Sequence, residues 1–154
     1  MLPTDFSEYP LFYSEEDRKW LKGSPFVADV DELISNIESD YNVIAENIPG
    51  FISKFSLTEY KEMYLVNESR QLSNDEFGLY NVPLVDLFNH DRDEQIGIYY
   101  YEVEDEGEFG IGLYILANKN VAKGQQINWH YGNKGNHEFL KNYGFVLNDK
   151  SQLN

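Results

Sequence analysis

The period of the apolar residues changes near Asn81, and that change limits the folds open to the chain. Before it, from Asp31 onward, Leu33, Ile37, Tyr41, Ile44 and Ile48 recur at three- and four-residue intervals, the spacing of one helix face. Asp29, Asp31 and Glu32 suit the positive amino end of that helix, and Asn47 with Pro49 and Gly50 closes it. After the change, 96–103 and 109–117 are runs of aromatic and branched residues with an acidic, glycine-bearing stretch between them, which predicts a hairpin. Helices first and strands afterwards is an α+β order. A doubly wound parallel sheet needs the two to alternate, so it is excluded.

Local signals fill in the rest. Ser14, with Asp17 in the position that reaches back, predicts a helix start, and Gly23, Ser24 and Pro25 stop or kink it. Ser56 with Glu59 is a second capping box, from which Leu57, Tyr60 and Tyr64 carry a helix to about Arg70. Residues 82–88 form a short segment expected to be buried. Lys123 and Gly124 mark a turn before a strand over 126–131, and a short helix over 136–143 is stopped by Gly144. The division expected is 1–80 as a helical region and 81–154 as a strand-rich core.

A net charge of −15, from 27 acidic and 12 basic side chains, excludes surfaces rich in negative charge as natural partners. Phosphate backbones and anionic lipid would be repelled, so neither nucleic acid nor membrane is expected, whereas a basic protein would be drawn in. The same acidity serves solubility. Without cysteine the chain has no disulfide, thiolate zinc site or cysteine nucleophile, which fits an intracellular protein. Its amino terminus carries neither the basic start nor the apolar run of a signal peptide, and no stretch is apolar enough to cross a bilayer.

Chemical motifs are mostly excluded by context. Asp91, Asp93, Gln95 and Glu102 fall at the first, third, fifth and twelfth places of an EF-hand loop, but Ile96 stands where the turn needs glycine. The three histidines, His90, His130 and His137, lack a metal-ligand spacing, and strand alternation would put His130 and Tyr131 on opposite faces, so no metal site is expected. No serine lies in a nucleophile-elbow context, and Gly110 and Gly112 lie inside a strand, where they cannot cradle a phosphate.

What remains is an ordered set. Pro83, Asp86, Asn89 and His90 come first; Lys123 and Gly124 precede Tyr131 and Gly132; Asn136, Glu138 and Phe139 precede Tyr143, Gly144 and Phe145. This order resembles the SET methyltransferases of the plastid Rubisco-lysine and actin-histidine branch. Those carry a Pro-x-x-Asp-x-x-Asn-His segment, a lysine-glycine turn, a Tyr-Gly segment, a Ser-Asn-x-Glu-Phe helix and a Gly-Phe end. The amino-terminal part is similar to the helical insert of that branch, with Trp20 to Ser24 like its leading signature and Ser69 and Arg70 like its closing Ser-Arg. The resemblance covers nearly the whole chain and is specific from Pro83 onward.

The resemblance implies a SET-type fold: a helical insert, then short antiparallel strands. It implies S-adenosyl-L-methionine as cofactor and a protein side chain, lysine above all, as methyl acceptor. By position, Asn89 would hold the methionine-like end of the cofactor, and His90 would meet the adenine mainly through its backbone. Asp86, Leu87 and Phe88 would form the adjoining wall, with Arg70 beside the cofactor and Tyr143, Gly144 and Phe145 closing the adenine side. Tyr131 would be catalytic. Lys134 would lie near the peptide, and Leu72 stands where actin-histidine enzymes carry an asparagine for the imidazole, which tilts the expectation to lysine. The glycine-bearing strand pair that opens the family's core has no counterpart before residue 80, where glycine occurs only at 23, 50 and 78. A counterpart of its carboxy-terminal substrate-binding domain is not expected either. The expectation is a partial domain with a complementing chain or a missing domain; the alternative is an inactive SET-like interaction module.

Overall fold

The computed structural model of the chain describes residues 3–74, 78–93, 96–105 and 108–148, with backbone alone at 74, 100–105 and 108–111. Two compact units result, one from 1–81 together with 134–154, the other from 82–133.

The first unit is helical. Ser14 and Asp17 close a reciprocal capping box on α1 (Glu15–Arg18), as their spacing predicts. The long helix α2 (Phe26–Asn47) starts five residues before Asp31. Gly23, Ser24 and Pro25 stop the preceding turn and also start this one: Gly23 reverses the chain at φ +89°, and Pro25 presets a helical φ of −55°. Because of the earlier start, only Asp29 of the three acids lies in the first turn, and Asp31 pairs with Arg18 instead. The buried face consists of Phe26, Val30, Ile37 and Tyr41, while Ile48 is exposed. Asn47 donates back to the Val43 carbonyl at 2.7 Å, and Gly50, at φ +80°, turns the chain into α3 (Phe51–Lys54).

Ser56 and Glu59 form the second capping box, on α4 (Leu57–Glu68). Tyr41, Phe51, Phe55 and Tyr60 cluster where α2, α3 and α4 meet, with centroids 5.3–6.4 Å apart; Tyr60 meets Tyr41 and Phe51 edge to face, and the other pairs are tilted. A core of Tyr9, Leu11, Ile37 and Leu65 is flanked by Phe6, Phe12, Leu33, Ile34, Tyr60 and Tyr64. The amino-terminal stretch is therefore part of the core, and its 3₁₀ turn at Pro10–Phe12 packs on α2 and on α5 (Asn136–Tyr143). Gly144 ends α5 at φ +73°, a left-handed cap that favours glycine. Strands β1 (Leu72–Asn74) and β2 (Gly78–Tyr80) pair antiparallel, Leu72 opposite Tyr80.

The second unit contains two strand pairs. β4 (Ile96–Asp105) and β5 (Glu108–Ala117) form the expected hairpin, with Ile96 opposite Ala117. Glu106 and Gly107 of its acidic connection lie outside the described residues. β3 (Asn89–His90) pairs with β6 (Asn128–Trp129), and this pair runs parallel, where antiparallel strands were expected. β6 is correspondingly shorter than the predicted 126–131, because its partner offers only two residues of ladder. In 82–88 only Val85 is buried; Leu84 and Leu87 are exposed, since the 3₁₀ turn at Val85–Leu87 directs one side chain inward per turn.

Candidate functional site

In the second unit, Asp86, Leu87, Phe88, Asn89 and His90 lead from the 3₁₀ turn into β3, and Tyr131 follows β6. The parallel pair brings the ends of these two stretches together. The Tyr131 hydroxyl donates to the Phe88 carbonyl at 2.5 Å, and the Tyr131 N–H donates to His90 Nδ1 at 3.1 Å. Tyr131 is therefore held at both ends, by the residues flanking Asn89. The Asn89 side chain is exposed and makes no hydrogen bond within the described residues.

His90 does more than the expected backbone contact. Its Nδ1 accepts a hydrogen bond, so Nε2 bears the proton in the neutral ring. Burial pushes its pKa below the ordinary 6.5; His130 and Arg92 push the same way, while Asp91 and the Trp129 backbone oppose them. The rings of His130 and Tyr131 both lie 5.2 Å from the His90 ring, and both residues follow β6, beyond the strand in which alternation would apply. His130 Nδ1 accepts the Gly132 N–H at 3.1 Å, where glycine permits a φ of +100°. Both imidazoles thus spend their Nδ1 lone pair on the backbone.

The acidic loop after β3 is used locally. Asp91 accepts the Asp93 N–H at 2.9 Å and Asp93 pairs with Lys119. Gln95, the fifth place of the EF-hand reading, lies outside the described residues. Among the described residues no group of three or more His, Asp or Glu side chains is arranged to hold a metal ion.

The first unit holds the other candidates. Phe145 stacks on Phe139 (5.2 Å, 28°) and lies 6.0 Å from the Tyr143 ring. Asn136 fixes the chain beyond them, exchanging two hydrogen bonds with the Leu147 backbone at 2.9 and 3.0 Å. Arg70 follows α4 and is half-buried, as is Lys134. Leu72 is 4% exposed in β1. A leucine buried there is core packing, so its side chain gives no support to a substrate contact. A residue that sequence reasoning did not single out, Tyr9, lies against Gly144. Its ring packs on the Gly144 backbone, and burial raises the pKa of its phenol more than Ser69 and Arg70 lower it.

This fold is that of a SET domain. It matches the solved SET domain of LSMT bound to lysine and AdoHcy with a TM-score of 0.77 over 95% of the chain, at 23% identity. It matches Rubisco LSMT bound to AdoMet with a TM-score of 0.73 over 98% of the chain, at 22% identity. Two curated relatives are similar over nearly the whole chain. A ribosomal lysine N-methyltransferase of Schizosaccharomyces pombe is 28% identical over 96% of the chain, and the chloroplastic fructose-bisphosphate aldolase-lysine N-methyltransferase of Arabidopsis thaliana is 29% identical over 95%. The chain spans only 27% and 32% of those relatives, and 35% of each of the two solved chains. No protein-family model matches it.

Proposed function

We propose that the chain is the cofactor-binding and catalytic portion of an S-adenosyl-L-methionine-dependent protein-lysine methyltransferase. The observation that carries this reading is the double anchoring of Tyr131 to Phe88 and His90, on either side of a free-standing Asn89 amide, in a SET fold.

The residues suit the cofactor by their chemistry. The Asn89 carboxamide offers both donor and acceptor to an amino-acid end. Tyr143 and Phe145 offer apolar faces to a flat base, and Gly144 between them leaves the backbone bare. The cofactor supplies an electrophilic methyl group. The chain supplies orientation, from which most of the rate of an in-line displacement can come. The Tyr131 hydroxyl donates to the Phe88 carbonyl, and a phenol oxygen polarised in this way suits weak CH···O contacts to an electron-poor methyl group. A neutral amine attacks without needing a side-chain base. The substrate is a protein lysine, and the surface charge of −15 favours a basic one.

Calorimetric titration of S-adenosyl-L-methionine into the 154-residue chain tests the reading: saturable heat is expected, and its absence at high protein concentration would refute it. Tyr131→Phe should keep that binding and lower transfer to a basic protein mixture by about fivefold or more, the worth of roughly one or two CH···O contacts. Equal transfer in the variant would remove Tyr131 from the chemistry. Binding with no transfer by the unaltered chain would favour an interaction module.

A further inference from the structure

The β4–β5 hairpin has a face that the proposed chemistry does not use. Its register sets Gly97 opposite Leu116 and Tyr99 opposite Tyr114, and strand alternation puts both pairs on one side. The other side begins with Ile96, which is 4% exposed, and so is the one turned inward. On the outward side Tyr99, Tyr114 and Leu116 are 48%, 49% and 51% exposed. Scattered apolar exposure needs no explanation, but two rings and a leucine adjoining on one sheet face form a continuous patch. The Tyr99 ring is laid along its own strand. A β-carbon at Gly97 would stand 2.6 Å from its Cε2 and 2.7 Å from its Oη, so glycine is what lets the ring rest on that backbone. One ring face is thereby covered and the other is presented outward, a platform for a cation or a planar cationic group.

Charge decides the occupant. Residues 96–117 carry five acidic side chains and no lysine or arginine, and the register sets Asp105 opposite Glu108 at the far end of the ladder. Like charges facing each other across a ladder repel, and a cationic partner relieves them. Lys119, just beyond the other end, is already paired with Asp93. A second copy of the chain would bring the same carboxylates, and phosphate or acidic lipid would be repelled in the same way. Among the described residues the sheet is two strands wide, which suits a single extended segment.

We infer that the outward face of this hairpin is a docking surface for a basic, extended polypeptide segment, whose arginine or lysine side chains stack on Tyr99 and Tyr114 while the acidic sequence of the hairpin attracts the remainder. The inference rests on the proposed function only in taking a basic protein as partner. It adds a place where residues flanking the acceptor lysine are held.

Binding of fluorescein-labelled octa-arginine to the 154-residue chain, followed by anisotropy at low salt, tests the inference. Tyr99→Leu combined with Tyr114→Leu keeps the strand apolar and removes both rings. It should weaken the Kd for the peptide by about fivefold or more, the worth of two exposed cation–π contacts. Tyr99→Phe combined with Tyr114→Phe keeps the rings and should bind as the unaltered chain does. Trp20→Leu, which removes an exposed ring outside the hairpin, should do the same. An unchanged Kd in the leucine pair, or an equal loss in Trp20→Leu, would assign binding to the general surface charge and overturn the docking face. Should the leucine pair unfold, ring proton shifts of the unaltered chain decide the matter: those of Tyr99 and Tyr114 should move saturably with added peptide, and fixed shifts would overturn it. Self-association of the unaltered chain that the leucine pair abolishes would put a second copy in place of the basic segment. Affinity for S-adenosyl-L-methionine should be the same in every variant, so absent cofactor heat would refute the cofactor reading and leave the docking face standing.

Discussion

His90 holds Tyr131 through a nitrogen that works only while it is unprotonated, because Nδ1 must accept the Tyr131 N–H. The groups around it are His130, Arg92, Asp91 and the Trp129 backbone, and the balance with burial lowers its pKa. The unfolded chain therefore binds this proton more readily than the folded one. The stability it contributes is complete above the ordinary 6.5 and is lost as pH falls through the lowered value. A proton NMR titration of the His90 ring should give a midpoint below 6.5, and cofactor binding should weaken across the same acid range. His90→Asn, whose Oδ1 can accept in place of Nδ1, should bind at neutral pH and lose that acid dependence. Leu84 is a second residue with a local consequence. It holds φ +77° with its side chain 76% exposed, so the strain is not offset by burial. Leu84→Gly should raise the thermal midpoint, by about 1 kcal/mol of stability after allowing for glycine's added chain entropy.

Elements with a local cause were legible in the sequence, and those with a distant cause were not. The two capping boxes at Ser14 and Ser56 and the Gly144 stop of α5 were readable because cap and helix lie within one turn of each other. The start of α2 was misplaced because Pro25 breaks a preceding helix and opens a following one equally well. β6 was drawn too long because its length is set by β3, far away along the chain. Tyr9 escapes sequence reasoning for the same kind of reason: its neighbour Gly144 is remote, and its own surroundings, Phe6, Phe12 and Tyr13, read only as aromatic filler. The candidate motif residues were found by order and spacing, but His90's side-chain grip on Tyr131 needed coordinates. At this scale Ser56→Ala should cost about 1 kcal/mol in chemical denaturation, since it removes the acceptor for the Glu59 N–H and disrupts the reciprocal cap.

For the molecule as a whole, a charge of −15 on 154 residues means mutual repulsion that the fold must bear. Raising sodium chloride from about 0.02 to 0.3 M should raise the thermal midpoint, because the screening length falls below the spacing of most surface charges. The same change should weaken capture of a basic peptide; salt-independent capture would argue against charge as its source. The parallel pairing of β3 with β6 has a further consequence, for the order of events as the chain forms. Asn89 and His90 cannot complete their ladder until Asn128 and Trp129 exist, whereas β4 and β5 can close on each other as soon as they are made. The hairpin thereby takes up most of the intervening chain and shortens the loop left to close, which lowers the entropy to be overcome. Tyr131's anchor points are thus assembled last in their unit, and lengthening the chain between β5 and β6 should slow the recovery of that grip more than it weakens it.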